Sequence, residues 1–148
     1  MARISVKLKG ASEFLNKAAR EIVTEAAGEV VQELKAAGPY DSGDFERGWR
    51  VLPGDTPVPP TLKGARYPRN QQRTISDTPI PRLMPGARAA MTIGNRMTHR
   101  EIAMDLIPGR VEEGKNNTAP QDWFTVYVEG GKMENTIKRA IRTVENRL

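Results

Sequence analysis

The sequence contains no cysteine and a single histidine, His99, among its 148 residues. It can therefore build neither a disulfide framework nor a zinc–thiolate site, nor any site that needs two imidazoles. Aromatic residues make up only 5%, which indicates a modest core. No apolar run approaches the roughly 20 residues of a membrane span, and the N-terminus lacks a signal peptide's apolar stretch. We expect a soluble protein made in the cytoplasm, with no membrane partner and no cofactor.

Catalytic patterns are missing as well. The sequence has no Gly-x-Ser-x-Gly elbow and no Gly-x-x-x-x-Gly-Lys-Ser/Thr phosphate loop. We interpret His99 as an exposed residue at the start of a short helix. The carboxylate pairs Asp41/Asp44 and Glu112/Glu113 lack the ligand spacing of a calcium loop, so we interpret them as solvated turn residues. These observations predict that the protein is not an enzyme.

Positive charge is in surplus. There are 23 lysines and arginines against 18 acidic residues, which gives a net charge of +5. Such a balance favours acidic partners, either nucleic acid or an acidic protein surface. No zinc finger, helix-turn-helix or repeated aromatic platform occurs, so any DNA contact would be to phosphate without sequence readout.

The first half of the chain predicts a strand and a long helix. Alternation of Ile4, Val6 and Leu8 with polar residues predicts a strand from Arg3 to Lys9, followed by Ser12 as a helix N-cap. Apolar residues then recur every three or four positions from Glu13 to Ala37, which predicts a helix with one core face. The stripe consists of Leu15, Ala18, Ile22, Ala26, Val30 and Leu34. We expect Gly38 to close this helix in a left-handed turn, and Pro39 to prevent its continuation.

The second half predicts further elements of both kinds. A strand is expected over residues 89–95, a short helix over 99–106, and an amphipathic C-terminal helix from about Lys132. Residues 123–128 are β-branched and aromatic, which favours a strand. A helix beginning after Pro120 is the alternative, but Gly130 and Gly131 would cost about 2 kcal/mol inside a helix. The sequence thus predicts one α+β domain over 1–148, with a small β-sheet packed by a long N-terminal helix and a C-terminal amphipathic helix.

Eight of the eleven prolines lie between Pro53 and Pro85. Proline removes backbone donors, so segment 53–88 is predicted to be a long loop without a helix or central strand. Its cations are Lys63, Arg66, Arg69, Arg73, Arg82 and Arg88, against the acidic residues Asp55 and Asp77. We interpret the segment as an extended proline- and arginine-rich interaction arm; a flexible, solvated loop is the alternative.

Two motifs stand out in the remaining sequence. The first follows the long helix as PYDSGDFERGW over residues 39–49, where Asp-Ser-Gly favours a tight turn and an extended segment follows. The second is spread over residues 93–95, 102–103, 111–114 and 119–123. In this order the two motifs resemble those of the tail-completion (neck) proteins of long-tailed bacteriophages. The residues that carry the resemblance are Pro39, Asp41, Ser42, Gly43, Phe45 and Trp49, then Asn95, Glu113, Gly114, Ala119, Pro120 and Trp123.

The sequence also departs from that pattern. An insertion from Thr98 to Pro108 replaces the family's Tyr-Ala, and the glycine usual after Ala-Pro-x is Asp122 here. The proline-rich arm has no counterpart.

The resemblance implies a structural virion protein that forms a ring, generally hexameric, at the head–tail junction of a tailed phage. Such a ring completes the tail and joins it to the head connector; a tail terminator or a head-closure ring is the alternative. The implied partners are other copies of the chain and the neighbouring neck and tail-tube proteins. For the arm we favour protein contact over the DNA channel, because a strongly cationic lumen would slow DNA passage. A non-specific DNA-binding accessory protein is the alternative from another class.

Overall fold

The protein is described by a computed structural model that covers residues 2–40, 43–64, 67–68, 72–98, 100, 119 and 122–148, with side chains from residue 13 onward. Helix α1 comprises Ala2–Ala37 and the single turn α2 comprises Asp44–Arg47. Strands β1 (Trp49–Pro53) and β2 (Met91–Asn95) follow. Two C-terminal helices, α3 (Trp123–Glu129) and α4 (Lys132–Glu145), complete the elements of the described part.

Helix α1 ends where the sequence predicts but begins eleven residues earlier. The strand predicted from Arg3 to Lys9 is wrong, because this stretch forms the first turns of α1, and Ser12 is no N-cap. The residues that alternate also fit a helix: Ile4, Leu8 and Leu15 extend the downstream stripe at helical spacing. Extending a helix that has already nucleated adds one hydrogen bond per residue fixed, which favours continuation. With 36 residues, α1 is roughly 54 Å long.

The sheet of the described part has two antiparallel strands. Trp49 pairs with Asn95 and Pro53 with Met91, so β1 and β2 are aligned along their whole length. The strand predicted over 89–95 is therefore confirmed, with its start at Met91. Residues of the proline-rich segment pack on this sheet: Val58 is buried, and a Cβ on Gly94 would lie 2.8 Å from it. Leu62 forms an isolated parallel bridge with Met97 beyond the end of β2.

The strand predicted over 123–128 is wrong, because these residues form helix α3. Gly130 is its C-cap, and Gly131 has a φ of 96° as the N-cap of α4. The two glycines therefore separate two helices, so the cost that disfavours glycine inside a helix does not arise. The C-terminal helix predicted from Lys132 is confirmed as α4.

One apolar cluster joins these elements. Its buried members are Ala27, Val30, Val31, Leu34, Phe45, Trp49, Val51, Met97, Ala119, Trp123 and Tyr127. Helix α4 runs antiparallel to α1, since Thr136 contacts Glu33 whereas Arg147, just beyond α4, contacts Glu25. The predicted α+β class is confirmed, with its long N-terminal helix, antiparallel sheet and C-terminal helix. None of the described helices is both long and apolar enough to cross a membrane.

Candidate interaction site at the end of the long helix

Two glycines shape the turn that follows α1. The amide of Gly38 donates to the Leu34 carbonyl at 3.0 Å, but Gly38 does not adopt the left-handed conformation predicted for it. Close packing favours a glycine there, since a Cβ would lie 3.0 Å from the Trp123 ring. Gly43 does adopt a left-handed conformation, with φ at 85°, and begins α2. Asp41 and Ser42 lie outside the described residues.

The described aromatic residues of the two motifs meet in one cluster. Phe45 packs edge-on against Trp49 at a centroid distance of 5.5 Å and against Trp123 at 6.1 Å. Phe124 stacks on Trp49 at 6.5 Å. Ala119 belongs to the same buried cluster. Motif residues that are more than 70 positions apart in the sequence therefore share one core. Glu113, Gly114 and Pro120 lie outside the described residues.

Asn95 links the end of β2 to the turn before β1. Its side chain is fully buried, donates from Nδ2 to the Phe45 carbonyl at 2.7 Å, and accepts at Oδ1 from the Met97 amide at 2.9 Å. A Cβ on Gly48 would lie 2.5 Å from that Oδ1. A buried amide satisfied on both sides stabilises one arrangement of the chain, because an apolar replacement would leave the Met97 amide without this acceptor and would remove one of the two donors to the Phe45 carbonyl, the other being the Gly48 amide.

Asp122 begins α3 with a left-handed backbone, at a φ of 57°. It is the only non-glycine residue with positive φ in the described part. Aspartate tolerates this conformation better than most residues, although glycine adopts it without a steric penalty. The position at which the resemblance leads us to expect glycine is thus one where the backbone favours glycine.

A buried ion pair joins the end of α1 to α2 and the proline-rich segment. Lys35 Nζ lies 3.5 Å from Glu46 Oε1, and their side chains are 1% and 0% exposed. Ser76 donates its amide to Glu46 at 2.8 Å, and its carbonyl accepts from Lys35 Nζ at 2.6 Å. Burial lowers the pKa of the Lys35 ammonium, and the Glu46 carboxylate offsets part of that effect.

This network was not predicted from the sequence. Lys35 lies four residues after Val31 and next to Leu34, which places it on the core face of α1. This position was the feature of the sequence that indicated a buried lysine. Its partner Ser76 is 41 positions away, so no local pattern could reveal it.

Arg73 binds the C-terminal end of α1. Its guanidinium donates to the carbonyl of Lys35 at 3.0 Å, to that of Ala36, and to that of Gly38 at 3.3 Å. It also lies over the Tyr40 ring at 5.7 Å. A cation at this position satisfies carbonyls that lack partners within the helix and complements the negative end of the helix dipole. Arg73 therefore has an intramolecular role.

The other predicted arm cations are placed differently. Arg88 forms an exposed ion pair with Asp55. Lys63 and Arg82 are exposed. Arg66 and Arg69 lie outside the described residues. Of the four cations that can be placed, two therefore bind within the chain and two face solvent.

An open cleft of about 510 Å³ lies where the proline-rich segment crosses α2 and β1. Arg47 stands over the Tyr67 ring at 4.1 Å, and Arg50 donates to the carbonyls of Arg47 and Trp49 at 2.7 Å. Asp77 also lines the cleft. Because the guanidinium of Arg50 is directed to backbone carbonyls, the cleft presents less cationic surface than its composition indicates.

A second polar cluster lies between α1, α3 and α4, around Glu33. Burial raises the pKa of Glu33, but hydrogen bonds from Tyr127, Thr136 and Arg139 outweigh it, so that the pKa is lowered. These donors lie at 2.6, 2.7 and 2.9 Å. Burial and the Glu33 carboxylate raise the pKa of Tyr127. One carboxylate thus joins all three helices.

The described residues hold no group of three or more His, Asp or Glu side chains arranged to bind a metal ion. The interpretation of Asp44 as a solvated turn residue is wrong, because its side chain is 4% exposed. It stands in the first turn of α2, where a carboxylate interacts favourably with the helix dipole. His99, Asp41 and Glu112/Glu113 lie outside the described residues, as does the rest of the helix predicted over 99–106 apart from Arg100.

The features at the end of α1 are therefore aromatic packing, close glycine contacts and buried polar links between distant segments. Comparison of this chain with protein-family models, curated proteins and solved structures finds no match.

Proposed function

We propose that this protein is a ring-forming structural subunit at the head–tail junction of a tailed phage, of the tail-completion type. The observation that carries the proposal is the convergence of the two motifs in one core. Five of the residues that carry the resemblance are buried together, in direct contact or through shared neighbours: Phe45, Trp49, Asn95, Ala119 and Trp123. Their convergence is what the proposal expects of motif residues that act together in one folded subunit.

The backbone at Asp122 supports the same proposal. The resemblance expects glycine at this position, and the left-handed φ there accounts for that preference. The side chain at position 122 departs from the family pattern, but the backbone there has the conformation that glycine favours.

The proline-rich segment is proposed to contact neighbouring subunits of the ring or the tail tube. Between residues 73 and 80 it is attached to its own subunit through Arg73, Ser76 and Ile80. Lys63 and Arg82, which are exposed, remain available to a neighbour. Proline limits the conformations of the unbound segment, which reduces the entropy lost when it binds.

The proposal is tested by quantitative mass spectrometry of purified virus particles, separated into heads and tails. We expect about six copies per particle, as in a closed cyclic ring, enriched in the neck or upper-tail fraction. Absence of the chain from the particle would refute the proposal. Enrichment at the portal end would instead indicate the head-closure alternative.

A non-specific DNA-binding protein is the second candidate, and the net charge of +5 favours it. Its affinity should fall by orders of magnitude between about 50 and 200 mM salt if several arginines contact phosphates. The intramolecular roles of Arg73 and Arg88 reduce the number of available cations. No binding to duplex DNA at low salt would eliminate this candidate.

A further inference from the structure

A groove of about 400 Å³ runs along α1 on the side where residues 80–85 pass. Its apolar lining comes from Ile80, Pro81, Leu83 and Pro85. Its charged lining contains four cations and two carboxylates, of which Arg147 and Glu25 pair with each other at 3.4 Å. Lys17, Arg20 and Arg82 form no ion pair with any described residue, and Glu21 is the one remaining carboxylate. The groove therefore has an apolar lining and carries a net positive charge along its edges.

Two exposed apolar side chains are close in sequence to residues that line this groove. Met84, between two lining residues, is 64% exposed. Phe14 is 53% exposed and lies three and seven residues before Lys17 and Glu21, on the same face of α1. Large apolar side chains gathered beside a groove indicate a surface that another protein covers.

The outer face of α3 has the complementary character. Asp122, Val126 and Glu129 follow one another at spacings of four and three residues, so they share one face, and all three are exposed. Val126 is 61% exposed. Residues 122–129 contain two carboxylates and no cation.

The two surfaces lie at different positions along α1. The groove is lined by α1 residues from Lys17 to Glu25, whereas α3 contacts α1 at Glu33 and Gly38. At 1.5 Å per residue, the centres of these regions are roughly 20 Å apart along the helix axis. A contact between unlike surfaces of identical subunits is heterologous, and such contacts generate rings when the rotation closes.

We propose that the groove of one copy receives the outer face of α3 from the next copy, as the repeating contact of the assembled ring. Val126 inserts between Phe14 and Met84 of the neighbour, and Glu129 faces Arg20 and Arg82. This inference rests on the proposed function, whose ring it supplies with an interface.

The absence of cysteine provides a direct test, because only introduced thiols react. Met84→Cys and Val126→Cys are made separately and together, in virus particles and in purified full-length protein at high concentration. A short bifunctional maleimide should join the two single variants into dimers only when they are mixed, and should join the double variant into a ladder. Ile75→Cys, which replaces a 41% exposed residue of the same segment, is the control and should not couple with Val126→Cys.

Charge reversal provides a second test that does not depend on thiols. Arg82→Glu alone and Glu129→Arg alone should each reduce the yield of oligomer roughly fivefold. Combined in one chain, they should restore it, because the pair is then inverted rather than broken.

The outcomes separate this inference from the proposed function. About six copies per particle without coupling between positions 84 and 126 would overturn the interface and leave the function standing. Coupling of 84 with 84, or of 126 with 126, would also overturn it, since the contact would then be symmetric. If the chain is absent from particles, the proposed function fails, and lack of coupling in concentrated purified protein would overturn the interface as well.

Discussion

The C-terminal third of α1 and its middle turns carry the same apolar stripe but differ in how far that stripe is covered. Towards the C-terminus, Val30, Val31 and Leu34 are no more than 4% exposed and pack against aromatic residues from three other elements. Residues 13–17 are all exposed, although Leu15 stands in register with the same stripe. Helical periodicity therefore identifies the apolar face of a helix, but not how far along the helix that face is covered.

The charged residues of α1 follow the same division. At the C-terminal end Lys35 is buried against Glu46, and Arg73 binds the final carbonyls. Further towards the N-terminus, Lys17 and Arg20 line an open groove. The C-terminal third of α1 thus has its charged groups paired within the chain, whereas the middle turns carry cations that line an open groove.

The largest difference in unfolding free energy between the two regions should come from truncating one aromatic residue in each. Trp49→Ala removes the largest side chain that is 1% exposed or less, and should lower the free energy of unfolding by about 3–5 kcal/mol. Phe14→Ala, at a residue 53% exposed, should lower it by less than about 1 kcal/mol. Urea unfolding of both variants measures the difference, and similar losses would contradict the contrast.

Breaking the buried ion pair should come next. Glu46→Gln leaves the Lys35 charge without a compensating carboxylate, which should cost about 3 kcal/mol of unfolding free energy. The double variant Lys35→Met with Glu46→Gln should recover part of that loss, because no uncompensated charge remains. If the double variant is as unstable as Glu46→Gln, the loss of stability comes from the altered contact between residue 46 and Ser76 rather than from the broken ion pair.

Removing the arginine at the end of α1 should have a smaller effect. Arg73→Ala withdraws a donor from the carbonyls of Lys35 and Gly38, and should cost about 1 kcal/mol. Arg82→Ala is the matched control in the same segment and, being exposed, should change stability by less than about 0.5 kcal/mol. Equal effects of the two substitutions would argue against the intramolecular role of Arg73.

The smallest expected effect is a pH dependence of the Glu33 cluster. The pKa of Glu33 is lowered in the folded protein from an ordinary value of 4.5, so below that value the unfolded chain binds the proton more readily. The stability that Glu33 contributes is present above pH 4.5 and is lost as the pH falls through the folded pKa. Melting temperatures of the wild type and Glu33→Gln should therefore converge on acidification; a constant difference would contradict this.

The sequence predicted elements well where periodicity was sustained. The C-terminal half of α1 and helix α4 have core residues at regular spacing over several turns, and both were identified. The strand predicted over 3–9 failed because two of its three apolar residues, Ile4 and Leu8, fit helical spacing as well. The strand predicted over 123–128 failed because Gly130 and Gly131 separate two helices, so neither glycine opposes a helix over these residues.

The candidate site was predictable only in part. Phe45, Asn95 and Trp123 were selected by their resemblance to a family pattern, and they meet as one cluster. Glu46 and Ser76 were not selected, because a hydrogen bond between residues 30 positions apart depends on chain topology. Local sequence identifies which residues are apolar, but not which polar residues will be buried together.

The pairing of β1 with β2 across residues 54–90 also bears on how the chain tolerates changes in length. Leu62 is bridged to Met97 beyond β2 and Arg73 is held at the end of α1, so residues 63–72 connect two anchored points. Because loop-closure entropy grows only logarithmically, doubling such a connection would cost about 0.6 kcal/mol. Insertions or deletions between these anchors could therefore alter the reach of the segment while the pairing of the strands is kept.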